Sequence, residues 1–279
     1  MSGPRGDRTR VRWAALAGVL LAVLLVASAL APEYVSVPEP DRAYLSPLQA
    51  PPFGTDDRGI PLLDYALQGA SIVTLPALAS GLLVALLATL AGLVRCLDRP
   101  WLDGALQAVS ELVGALPRLV VVLVVALMLP RQARGLLPIG LTWALLAAPG
   151  AMDEAAATAQ RLGGSRFVEA LRAHGFSGAR IYLVHLVWFN LRPVIVRQAA
   201  EVLMQVVFLE IALSYLALRP PPAPAFTHAD SEYSWATLLY QGYAALLGLP
   251  LVHSLVTGLM LVALVAVMAQ AMRLAGRAR

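Results

Sequence analysis

Arg197, Glu201 and Gln205 recur at four-residue steps inside one apolar stretch, with Glu210 further along. Steps of four return to one face of a helix, and ionised groups in hydrocarbon must face a bundle interior or a wet cavity. An Arg197–Glu201 ion pair that fixes helix packing is the favoured reading of this polar stripe, and contact with a passing solute is the other. Glu111 and Arg118 are similar in kind and could partner it. His228, Asp230 and Glu232 could be read as metal ligands, but their spacing follows no familiar ligand pattern, and a solvated polar loop fits better. His253 stands alone in an apolar run, where a histidine is usually packed or hydrogen-bonded. All 21 basic residues are arginine. A nucleotide-binding phosphate loop needs a lysine, so any ATP hydrolysis belongs to another polypeptide. There is no His-Glu-x-x-His or Gly-x-Ser-x-Gly string to support hydrolysis within the chain. No cofactor or metal is expected.

The elements that carry these residues are membrane spans. Of 279 residues, 59% are hydrophobic and 14% charged, with a mean hydropathy of +0.71. A soluble domain would carry about a quarter charged residues. The single cysteine, Cys96, excludes an intrachain disulfide. A span needs about 20 largely apolar residues, and six stretches qualify: 13–31, 70–94, 106–129, 136–152, 193–218 and 245–272. The fourth is short and holds Pro138 and Pro149. The predicted fold is thus an all-α membrane domain with six transmembrane helices. Residues 1–12 precede the first span, 32–69 form an external loop, 70–272 form the core, and 273–279 are a tail.

Arginine placement sets the orientation. With the N-terminus inside, the cytoplasmic segments hold Arg5, Arg8, Arg10, Arg12, Arg95, Arg99, Arg161, Arg166, Arg172, Arg180, Arg192, Arg273, Arg277 and Arg279. The external ones hold Arg42, Arg58, Arg131, Arg134 and Arg219. Both termini are therefore expected in the cytoplasm. Arginines at the ends of apolar runs also explain the net charge of +4 without a nucleic-acid partner. The first span has an alternative reading as a cleaved signal peptide, since Ala27-Ser28-Ala29-Leu30-Ala31 is a small-residue string, but its apolar run is long for that role.

The cytoplasmic loop 153–192 is longer than a plain bundle requires. Ser165 is a suitable N-cap for a helix over 166–174, and Gly175 a natural left-handed stop. Phe167, Leu171 and His174 share one face with Val168 beside them, and Glu169 can pair with Arg166 or Arg172. Packing against the chain's own helix ends and docking of a soluble partner are both open on these residues alone.

Glu169-Ala170-Leu171, three residues and Gly175 resemble the EAA signature of ABC importer permeases. In that family it forms the coupling helix that docks on the ATPase. Glu154-Ala155-Ala156 is a decoy, because Gln160 stands where the glycine belongs. Other matches follow in order. Gly54-Thr55-Asp56-Asp57 upstream of Tyr65-Ala66-Leu67-Gln68-Gly69-Ala70, Leu116-Pro117, Glu210-Ile211-Ala212-Leu213-Ser214-Tyr215-Leu216 and Ser234-Trp235 are similar to the C-type subunit of dipeptide, oligopeptide and nickel importers. The chain departs from that pattern at Gly59-Ile60-Pro61, at Leu171, at Leu186-Val187-Trp188 where a proline is usual, at Ala217, and in a longer loop over 223–233.

The resemblance implies a type I importer permease of the inner membrane. It would work with a B-type permease subunit, two ABC ATPase subunits and an extracytoplasmic solute-binding protein, by alternating access in the lipid bilayer. Peptides are the expected cargo, with nickel or its chelates the alternative. A secondary transporter would also carry polar groups in its spans but would not need a capped docking helix. An intramembrane enzyme would need a paired nucleophile or metal ligands at depth.

Overall fold

The computed structural model of the chain describes residues 4–31, 37–97, 99–130, 135–215, 234–246 and 252–276. Its elements are α1 (Pro4–Ala29), α2 (Leu62–Val94), α3 (Pro100–Gly114), α4 (Arg118–Met128), α5 (Leu136–Arg161), α6 (Ser165–Ala173), a π-helical segment Arg180–Leu191, α7 (Arg192–Tyr215), α8 (Trp235–Leu246) and α9 (Val252–Gly276). Among the described residues there is no strand, only a bridge between Thr55 and Pro61 in the loop before α2.

α2 is the axis of the bundle. It packs most extensively on α5, then on α7 and α1, and also touches α8, α9 and α3. Small residues permit this closeness, as expected where helices associate by van der Waals contact. On α5, Ala144, Ala148, Ala151, Ala155 and Ala159 are buried; on α2, Ala77, Gly81, Ala88 and Ala91 are. A Cβ at Gly92 would lie 2.5 Å from a methyl of Leu191, so any larger residue there would have to displace that side chain. Outward, the helices carry large apolar side chains such as Leu75, Leu82 and Leu86 on α2 and Val256 and Leu259 on α9. An apolar interior with an apolar outside fits a membrane-embedded protein.

Among the described residues, four helical stretches are long and apolar enough to cross a membrane: Val11–Ala29 within α1, α2, α5 and α9. The bent pair α3–α4 makes a fifth if it counts as one span. The expected straight span over 106–129 is instead broken at Leu116-Pro117, where the two helices meet at 78°. Proline lacks an N–H and disfavours helical backbone at the residue before it.

Other boundaries also move. α5 runs nine residues past the predicted end at 152, so the segment expected as a loop from 153 begins as helix. Ala155, Ala156, Ala157 and Ala159 are strong helix formers. The sixth predicted span, 245–272, starts too early: Ala245 and Leu246 belong to α8, and the membrane-length helix is α9. α8 itself lies where an external loop was expected. α1 packs on α9 and α2 with Ala17 and Leu24 buried. Residues 216–233, and with them Leu216, Ala217, Arg219, His228, Asp230, Glu232 and the long loop, lie outside the described residues. So do Arg131, Arg134, Arg277 and Arg279.

Candidate functional site

Two polar regions stand at opposite ends of α2. At its C-terminal end, Gly163 and Gly164 take φ of +102° and +54°, turning the chain out of α5 into α6. Gly164 is the N-cap, so Ser165 is the first helical residue rather than the cap expected from its type. α6 places Val168, with Phe167 and Leu171, against the core. Glu169, Ala170, Arg172 and His174 are exposed. His174 thus leaves the apolar face assigned to it, with its Nδ1 2.7 Å from the Ala170 carbonyl oxygen. The expected pairing of Glu169 with Arg166 or Arg172 does not form among the described residues.

The helix stops as its glycine predicts. Gly175 has φ +83°, its N–H donates to the Arg172 oxygen at 2.8 Å, and the Phe176 N–H donates to the Leu171 oxygen at 3.2 Å. These are the two bonds of a Schellman motif, closed by apolar Phe176 and Leu171. The product is a nine-residue helix with one anchored and one open face.

A series of polar contacts ties α7 to α5 and α9. Arg197 pairs with Glu154 on α5, and Gln198 Nε2 donates to the same carboxylate at 2.6 Å. Arg273 on α9 donates to Glu201 at 2.7 Å. The predicted Arg197–Glu201 pair is therefore replaced by two pairs to different neighbours, because this face of α7 lies between α5 and α9. Gln205 accepts from Trp143 Nε1 at 2.8 Å. Glu210 is buried and takes a bond from Ser214 at 3.4 Å. Glu111 and Arg118 do not join the stripe: both are exposed, and Glu111 accepts from Gln107 at 3.0 Å. The decoy Glu154-Ala155-Ala156 turns out to tie α5 to α7.

Sequence reasoning missed a neighbouring cluster. Arg95, at the end of α2, pairs with Asp103 on α3 and donates to Gln160 on α5 at 2.9 Å. Ser110 donates to Asp153 at 2.9 Å. These side chains line a cavity of about 250 Å³ between α2, α3 and α5. Their sequence separations, 43 to 65 residues for the two hydrogen bonds, leave no local spacing to read.

At the other end of α2, hereafter the loop end, the Gly54-Thr55-Asp56 string builds a buried knot. Gly54 has φ +89°, and a Cβ there would sit 2.5 Å from the Leu45 oxygen. Thr55 Oγ1 donates to the Arg42 oxygen at 2.5 Å and accepts from the Leu45 N–H at 2.9 Å. Asp56 is fully buried and accepts from the N–H groups of Arg58 (2.9 Å) and Ile60 (2.7 Å) and from the Tyr65 hydroxyl (2.5 Å). Arg58 Nε stands 3.7 Å from the same carboxylate. At Gly59-Ile60-Pro61 the chain turns, with Gly59 at φ +78° and Ile60 buried.

The last two helices close the knot. Ser234 Oγ accepts from the Thr237 N–H at 3.3 Å and caps α8. Trp235 Nε1 donates to the Ala66 oxygen at 3.0 Å, and the indole lies where a Cβ at Gly69 would come within 2.2 Å of it. Gln241 donates to the Tyr65 hydroxyl at 3.3 Å. His253 Nε2 lies 2.9 Å from the Thr55 oxygen, so its ring N–H is engaged by backbone. Compared with known proteins, the chain matches no family model and no curated sequence.

Proposed function

We propose that this chain is a permease subunit of an ATP-driven importer, with α6 as the element that docks on a separate ATPase. The observation that carries this is α6 itself. It is a short helix, stopped by a Schellman turn at Gly175, anchored by Val168 and Leu171, with Glu169 presented outward. With Val168 and Leu171 turned to the core, the opposite face of α6, with Glu169 and Arg172, is left open to a soluble partner.

In this reading α7 and the bent α3–α4 pair cross the membrane with α1, α2, α5 and α9, giving six spans with both termini in the cytoplasm. When ATP closes the ATPase pair, α6 moves with it. Contacts of Glu154 with Arg197, and of Arg95 with Asp103 and Gln160, carry that motion to α7, α2 and α3. The pore then opens outward to receive solute from a binding protein at the loop end. A homologous permease completes the pore, and peptides are the proposed cargo.

The test is purification in mild detergent with identification of the retained subunits, followed by reconstitution. An ABC ATPase should co-purify, and the binding protein loaded with solute should stimulate ATP hydrolysis. Uptake that tracks a proton or sodium gradient and survives ATP depletion would replace this reading with a secondary transporter.

A further inference from the structure

The segment Arg180–Leu191 joins α6 to α7 and contains Leu186-Val187-Trp188, where the permease pattern usually has a proline. One face is fully buried through Ile181, Leu186 and Leu191. The opposite face turns Leu183, Val184, Trp188 and Phe189 outward, at 64%, 38%, 57% and 63% exposure. Arg180 stacks over the Phe176 ring at 4.9 Å and Arg192 over the Trp188 ring at 4.4 Å. Neither arginine has a carboxylate partner among the described residues.

The depth of this face follows from length. α7 has 24 residues, or about 36 Å at 1.5 Å per residue, more than the hydrocarbon thickness of about 30 Å. With α7 crossing the bilayer as proposed above, the turns before it fall in the headgroup layer, where aromatic side chains and arginines collect. Stacking uses the face of a guanidinium and leaves its in-plane N–H donors free, in the fork geometry that suits a phosphate.

We propose that this segment binds anionic phospholipid in the leaflet at the α6 end. Arg180 and Arg192 each take a headgroup phosphate at opposite ends of the segment, and acyl chains lie along Leu183, Val184 and Phe189. The inference rests on α7 crossing the membrane, as proposed above, but needs neither an ATPase partner nor transport.

Native mass spectrometry of the full chain released from detergent tests it, with phosphatidylglycerol or phosphatidylcholine supplied at equal concentration. The parent should retain on the order of 25-fold more phosphatidylglycerol. Arg180→Gln with Arg192→Gln should lose that preference, at about fivefold per arginine. Arg180→Lys with Arg192→Lys keeps the charge and should keep most of it, which guards against a glutamine variant that merely folds badly. Equal retention of the two lipids by the parent overturns the proposal. So does unchanged phosphatidylglycerol retention by a folded glutamine variant, or loss of bound lipid when a soluble subunit crosslinks to Trp188.

Discussion

At the loop end, Asp56 is fully buried and receives three hydrogen bonds; at the α6 end, Glu154 is about a third exposed and shares its carboxylate between Arg197 and Gln198. Removing one partner from a buried network leaves a polar group unsatisfied, at about 1–3 kcal/mol. An exposed pair contributes about 1 kcal/mol or less. The knot of Thr55, Asp56, Tyr65, Trp235 and His253 therefore holds one arrangement, joining α2, α8 and α9. The pairs that tie α7 to α5 and α9 can exchange partners at small cost. In the importer reading this is a fixed extracytoplasmic end and an adjustable end facing the ATPase.

The largest expected effect breaks function at the adjustable end. Glu169→Arg reverses the charge on the open face of α6, and Gly175→Leu forces a side chain into φ +83°. A Cβ at Gly175 meets nothing within 4 Å, so its cost is conformational, roughly 1 kcal/mol or more. Both variants should insert and fold normally while solute uptake falls to background and solute-stimulated ATP hydrolysis falls with it. Parental uptake in both would remove α6 as a coupling element and return attention to Glu154.

The complementary change breaks stability at the fixed end. Trp235→Ala empties a buried site and strips the Ala66 oxygen of its indole donor; about 3–5 kcal/mol should be lost. Gly69→Val should be similarly harmful, since the indole must move. Thermal melts in detergent read this directly. A melting point within a degree or two of the parent would show that the knot is not an anchor.

A smaller effect separates the pairing found from the pairing expected. A double-mutant cycle on Glu154→Gln and Arg197→Gln should give a coupling of about 0.5–1 kcal/mol, as for part-exposed pairs. The same cycle on Arg197→Gln and Glu201→Gln should give near zero. Strong coupling in the second cycle would restore the Arg197–Glu201 pair.

These contrasts mark how far the residues could be read alone. Gly175 as a helix stop is legible, because a left-handed turn after an amphipathic stretch is a local event. The stripe on α7 is legible as a face but not as a set of partners: four-residue spacing says which side chains align, not which helix they meet. Pro117 is visible, yet hydropathy averages across it and merges α3 with α4. α8 is hidden by its length, since its 12 residues fall short of a span, and Ser234 follows a proline-rich run that reads as loop. The knot is the least legible. Trp235 meets Ala66 across 169 residues and His253 meets Thr55 across 198, so only the fold brings those motifs together.

The smallest effect concerns Cys96, which touches neither docking nor stability but reports which side the α6 end faces. Its position beside Arg95 and Arg99 predicts the cytoplasm. The structure adds that the thiol is buried, at 2% exposure, and that burial pushes it above the ordinary cysteine value. The thiolate is the species that reacts with maleimide. A raised thiol is almost wholly protonated at neutral pH, so labelling should be slow at pH 7 and quicken as pH rises toward 9. An impermeant maleimide should label only permeabilised cells, and slowly. An exposed reporter separates burial from sidedness: Ala173→Cys in a Cys96→Ser background should label fast, again only after permeabilisation. Fast labelling of that reporter in intact cells would invert the topology and place α6 where no ATPase could reach it. Fast, pH-independent labelling of Cys96 in permeabilised cells would instead show that the end of α2 opens to water, and the tier built on Arg95 would lose its packed setting.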